Sequence, residues 1–228
     1  MKRMLINIII VVVFSIFLIS QAYATPWTDS TIHWDSWADG RTSLDSLDAY
    51  GNPQISGGTY TANSGFLTQI SFDYYIGADI TAAGVTAADL FIDNNADGNW
   101  DYVVNLYADS TTIYGINIAE SASGAYEFST ANSGWDWRHN HPIALIDYGS
   151  DIFGSVSWNG FDNSIGNHTT TVNFDNLSVS NEFIFAWTVS CANDVVMEHG
   201  YSVPEPATLL LLGFGLVGLA GAGRKLKK

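Results

Sequence analysis

The sequence predicts an all-β protein, an antiparallel β-sandwich, on three observations. Short runs rich in β-branched and aromatic residues recur through the central segment, and several alternate polar with apolar at period two. Clusters of Gly, Asn, Asp and Ser separate them, as turns require. A helical period is almost absent; only Thr81–Ala88 offers one turn.

Taken from the N-terminus, residues 1–24 read as a secretory signal helix. Lys2 and Arg3 give a positive start, Leu5 to Ile19 is apolar, and Gln21-Ala22-Tyr23-Ala24 ends in a small-x-small pattern. Signal peptidase is expected to cut between Ala24 and Thr25. Residues 25–65 are polar and contain Gly and Trp, suiting a strand or an ordered arm. Strands are expected in 66–80, 88–93, 100–108, 111–119, 125–131, 143–148, 153–160, 169–179 and 182–192. Strands this short and this spaced suit two layers of jelly-roll or Ig-like type, with a barrel as the alternative. The predicted ectodomain is therefore residues 25–202. Residues 207–223 carry no charge, which is the short edge of a transmembrane helix, and Arg224, Lys225, Lys227 and Lys228 follow as a basic tail. The positive-inside rule keeps that tail cytoplasmic and the ectodomain outside.

Charge narrows the partners. Apart from Lys2, Arg3 and the four basic tail residues, the only cations are Arg41 and Arg138, whereas all of the 23 acids but Glu205 lie in 25–203. That segment has a net charge of −20, more negative than the −15 of the whole chain. It repels nucleic acid and anionic surfaces, favours divalent cations and promotes solubility. Cys191 is the only cysteine, so no intramolecular disulfide can form, and its apolar surroundings suit a buried thiol.

The best candidate for chemistry is "IDNNADGNWDY". Asp93, Asn95, Asp97, Asn99 and Asp101 take positions 1, 3, 5, 7 and 9 of a calcium loop, with Gly98 at the sharp turn. Position 12 is Val104 instead of a bidentate Glu, and the flanks read as strands, so an EF-hand is excluded. Asp-Gly is also an ordinary hairpin signal, and that alternative stays open. His139, His141 and Asp136 fall short of a full metal site. Trp27, Trp34, Trp37, Trp135, Trp137 and Trp158 lie near acids and amides, as a sugar-stacking face or a packed core would have them. Asn167-His168-Thr169 and Asn176-Leu177-Ser178 match a glycosylation acceptor, and Thr169–Thr171 is too short for a regular threonine array. Neither G-x-S-x-G nor H-E-x-x-H occurs, so no enzymatic activity is expected.

The chain ends "VPEPATLLLLGFGLVGLAGAGRKLKK". Pro204-Glu205-Pro206 sits in an extended stretch before the apolar run. Triplet, short apolar helix and basic end over 203–228 closely resemble the PEP-CTERM sorting signal of Gram-negative bacteria that make exopolysaccharide. That region is also described as an ice-binding-protein C-terminal domain, which says nothing of ice for the residues before it. Trp187, Thr188, Cys191, Asn193 and Asp194 are similar to the end of other PEP-CTERM ectodomains, with Ala192 departing from their usual Gly. The resemblance implies an exosortase-type transpeptidase acting near Pro204–Pro206 after transient residence in the inner membrane. It implies an envelope, cell-surface or matrix location, with a structural or adhesive role in exopolysaccharide or biofilm. The alternatives are a calcium-stabilised carbohydrate-binding module and a secreted polysaccharide hydrolase.

Overall fold

The computed structural model describes residues 24–28, 53–77, 85–108, 110–119, 123–128, 142–190 and 194–202. These form twelve strands: β1 (Thr25–Thr28), β2 (Gln54–Asn63), β3 (Phe66–Ile76), β4 (Leu90–Asp93), β5 (Asn99–Val104), β6 (Thr112–Ala119), β7 (Tyr126–Phe128), β8 (Pro142–Leu145), β9 (Ile152–Trp158), β10 (Gly166–Ser178), β11 (Glu182–Thr188) and β12 (Val195–Tyr201). The expected β character holds. No helix among the described residues is long and apolar enough to cross a membrane. The expected signal helix, the apolar stretch 207–223, and the triplet Pro204–Pro206 lie outside the described residues, apart from Ala24.

The layering departs from two separate sheets. Ten strands form one sheet in the order β1-β2-β3-β10-β9-β6-β5-β4-β11-β12, every pair antiparallel, and the sheet curls until it is nearly barrel-shaped. The physical cause is β9. Its C-terminal half pairs with β10 (Phe174 opposite Val156), and its N-terminal half pairs with β6 (Ile113 opposite Gly154). A bulge between Ile113 and Tyr114 lets the sheet turn a corner there instead of breaking into two. Side chains bridge the remaining gap between β2 and β12. The Tyr201 amide donates to the Tyr60 hydroxyl at 3.1 Å, the Gly65 amide to the Ser202 hydroxyl at 2.8 Å, and the Ile55 amide to the Asp194 carboxylate.

Alternation along the strands fills the interior. Phe72 and Tyr74 on β3, Tyr60 on β2 and Trp27 on β1 point inward and meet Phe183, Phe185 and Trp187 of β11. Trp27 lies 5.6 Å from both Phe72 and Phe185, edge to face, and Phe72 lies 4.4 Å from Trp187. Backbones close in at two glycines. A Cβ on Gly58 would sit 1.9 Å from the Ser71 carbonyl oxygen, and one on Gly200 would enter the Phe183 ring. A second core lies on the outer face of β4, β5 and β11. There Phe91, Trp100, Val103 and Ile184 pack under Tyr126 of β7 and Ile143 and Leu145 of β8. β4 is buried along its whole length, and β11 everywhere but its first residue, which explains their near-continuous apolar sequences.

Candidate functional site

The acidic hairpin is the link between β4 and β5, with Ile92 opposite Tyr102. Ala96 (φ 56°) and Gly98 (φ 87°) take left-handed backbone, which turns the chain tightly over five residues. The carboxylates hold this loop. Asp93, fully buried, accepts the Asn95 amide at 3.1 Å and the Gly98 amide at 2.8 Å. Asp101 accepts the Asn94 amide at 2.8 Å, and Asp97 accepts both the backbone and the side-chain N–H of Asn99 at 3.0 and 2.9 Å. The five sequence-predicted ligand residues thus share one hairpin, Asp93 on β4, Asn95 and Asp97 in the turn, and Asn99 and Asp101 on β5.

The turn shifts two of its carboxyls in opposite directions. Burial raises the Asp101 carboxyl above the usual carboxylate range, and the charges of Asp93 and Asp97 add to that, against the Asn94 hydrogen bond. Asp97, fully exposed, is lowered chiefly by the Asn99 side-chain hydrogen bond. The chain has no Lys or Arg among its described residues to offset these charges. Nor do the described residues contain a cage of three or more His, Cys, Asp or Glu side chains. The donor set here is instead mixed carboxylate and amide, the hard-oxygen chemistry that suits calcium. Each Asp93 oxygen spends one lone pair on an amide and keeps another.

Asp101 is also one wall of an open cleft of about 440 Å³, lined further by Tyr102, Gly115, Ile116, Asn117 and Asp151. Phe153 of β9 reaches across Gly115 of β6 to pack on Tyr102 of β5 at 4.7 Å. The missing side chain at Gly115 leaves room on the cleft floor. Two carboxylates, an amide and an aromatic edge make a surface for hydroxyl-bearing ligands. Asn117, Asp151 and Phe153 carry no spacing signal in the sequence; only strand pairing brings them beside Asp101.

Other sequence candidates separate. Trp27 is in the core and Trp158 packs partly buried against it, so neither offers a sugar-stacking face. Trp34, Trp37, Trp135, Trp137, Asp136, His139, His141 and Cys191 lie outside the described residues. Thr25, at the expected signal cleavage, is the first residue of β1 and pairs with Tyr60. The Tyr60 hydroxyl in turn takes the Tyr201 amide, and the Ser180 amide donates to the Asn94 carbonyl at 2.7 Å. Thr25, the acidic turn and Ser202 therefore share one end of the curled sheet.

Residues 202–225 match the family model of the PEP-CTERM protein-sorting motif. The chain carries a PEP-CTERM sorting motif. The motif indicates a secreted surface protein sorted by exosortase to the cell envelope or surface. No curated protein and no solved structure matches the chain.

Proposed function

We propose that residues 25–202 form a non-catalytic structural or adhesive module of the exopolysaccharide matrix, delivered through the inner membrane and freed or re-anchored by exosortase near Pro204–Pro206. The observation that carries this reading is the PEP-CTERM motif beginning at Ser202, on a residue strapped to the sheet end by Gly65. The expected mature N-terminus, Thr25, lies at that same end. Four residues lie between Ser202 and Ala207, so the five steps reach at most about 18 Å. The opposite end and the flanks of the sheet then face outward to the matrix.

Changing Pro204, Glu205 and Pro206 together to alanine is expected to hold the precursor in the inner membrane with its tail uncut. Cell fractionation and mass spectrometry of the C-terminus check this. Normal surface delivery of a trimmed variant would sink the sorting role assigned to the triplet.

A second reading, a calcium-stabilised carbohydrate-binding module, is favoured by the acidic turn beside the cleft, where burial and the charges of Asp93 and Asp97 raise the Asp101 carboxyl. Extracellular calcium sites bind at about 10⁻⁴–10⁻³ M. At a hundredfold excess over a dissociation constant, binding stabilises by about 2.7 kcal/mol, or roughly 5–10 °C in melting temperature for a domain of this size. Calcium at 10 mM, a tenfold to hundredfold excess over that range, is expected to raise the melting temperature of the full chain by roughly 3–10 °C, and Asp97→Asn to remove most of the rise. An unchanged melting curve and no heat in calorimetric titration would leave the turn a plain hairpin.

A further inference from the structure

The outer face of β2, β3, β10 and β9 is unlike the rest of the chain. Its side chains fall into cross-strand rows set by the register. Thr61, Gln69, Asn173 and Ser157 stand opposite one another in one row, and Thr59, the buried Ser71 and Thr171 in the next. Asp73 and Thr169 make a third row, and Gln54, Tyr75 and Asn167 a fourth. Asp73 is the one charged residue in the four rows, although residues 25–203 carry 22 acids. Adjacent strands stand about 4.8 Å apart and same-face residues about 6.8 Å apart, so the rows tile a polar grid.

The grid is fixed before any ligand arrives. The Gln69 amide donates to Asn173 Oδ1 at 2.9 Å, Thr59 and Ser71 hydroxyls share a hydrogen bond at 2.8 Å, and Thr169 donates to Asp73 Oδ1 at 2.5 Å. Side chains already held in place lose little entropy on binding. Where the third and fourth rows meet, the face dips into a depression of about 200 Å³ lined by Ser56, Asp73, Tyr74, Asn167, His168 and Thr169. Tyr75 stands beside it, 45% exposed, a ring available for stacking.

The chemistry of the face selects its occupant. Among the described residues, its four rows lack the apolar centre of a protein–protein interface. The acidic segment around it repels nucleic acid and anionic polymers. What complements a flat, uncharged array of hydroxyls and amides with one aromatic ring is a chain of the same kind. We propose that this face binds an uncharged polysaccharide chain, with a sugar ring stacked on Tyr75 and hydroxyls seated in the Asp73–Thr169 depression. This rests on the matrix role proposed above and assigns the glycan class and the surface.

The test is affinity electrophoresis of the full chain in detergent through gels containing laminarin or dextran as neutral probes and alginate as the anionic one. Co-sedimentation with matrix from the producing cells runs in parallel. The expected result is retardation by a neutral probe and not by alginate. Tyr75→Ala and Thr171→Glu, both on the outer face and away from the core, should each weaken retardation at least tenfold while keeping the wild-type melting temperature. Equal retardation of these variants, or preference for alginate, overturns the proposal. If the wild-type chain co-sediments with matrix but ignores both neutral probes, the face assignment falls and the matrix role stands; if it does neither, both fall. Concentration-dependent dimers abolished by Thr171→Glu would give the face to a second copy of the chain and overturn the glycan assignment.

Discussion

Replacing Trp187 by alanine is expected to cost about 3–5 kcal/mol, the range for deleting a fully buried large aromatic side chain. Trp187 is completely buried and packs on Phe72 at 4.4 Å, Tyr74 at 6.1 Å and Phe161 at 6.3 Å. Its indole N–H donates to the Ala88 carbonyl at 3.2 Å. It lies where β3, from one half of the curled sheet, meets β11, from the other. Its loss would leave a cavity between layers that no intramolecular disulfide can hold, because Cys191 is the only cysteine. Domains are stable by only about 5–15 kcal/mol in total. Thermal unfolding followed by circular dichroism should show a fall of roughly 10 °C or more. Trp187→Phe keeps a ring and loses only the N–H contact and part of the volume, so it should cost distinctly less. A loss under about 1 kcal/mol for the alanine variant would mean that β11 does not join the two halves.

That junction marks the limit of what the sequence makes legible. The apolar run of β11 and the alternation of β3 and β10 read directly as strands, because each signal is local. β2 escaped as a defined strand because "SGG" breaks its pattern, yet Gly58 is there for a contact with Ser71 and Trp27 that only folding creates. β12 was missed too: "VVMEHGY" alternates poorly because β12 is an edge strand pairing with β11 alone. One curled sheet in place of two matches the barrel alternative, and no local signal chooses it over the sandwich, since β9 turns the corner by pairing with β6 and β10 at its two ends. The acidic turn and the sorting motif were legible for the same reason as β11, being linear. The cleft beside the turn and the neutral grid were not, because both are built from residues brought together by register.

Asp89 is the clearest case of a role hidden among 22 similar residues, and it carries the second large prediction. It is fully buried at the start of β4, where its carboxylate accepts the Tyr107 amide at 3.1 Å, the Leu145 amide at 3.2 Å and the Tyr148 hydroxyl at 2.6 Å. Its own amide donates to the Ile143 carbonyl at 2.8 Å, so one residue ties β8 and the β5–β6 link to the main sheet. Burial pushes its carboxyl up from an ordinary 3.8 to about 7, more than the hydrogen bonds from Tyr148, Tyr107, Leu145 and Leu106 pull it down. Tyr148 is raised as well, first by burial and then by the Asp89 charge. A carboxyl that holds its proton more tightly folded than unfolded favours the folded state fully below pH 4. That contribution drains away as pH rises through about 7. The amount at stake is on the order of 4 kcal/mol. The remaining acids also titrate, so the informative quantity is the difference between the wild type and Asp89→Asn. The amide mimics the protonated carboxyl, costs a roughly constant 1–3 kcal/mol for imperfect acceptance of its donors, and cannot ionise. Melting temperatures between pH 4 and 8.5 should therefore converge and then cross as pH rises, because the wild type's loss of about 4 kcal/mol between pH 4 and 7 exceeds the roughly 1–3 kcal/mol cost of the amide. Parallel curves over that range would show a carboxylate ionised throughout, with the Tyr148 hydroxyl and the backbone amides outweighing burial.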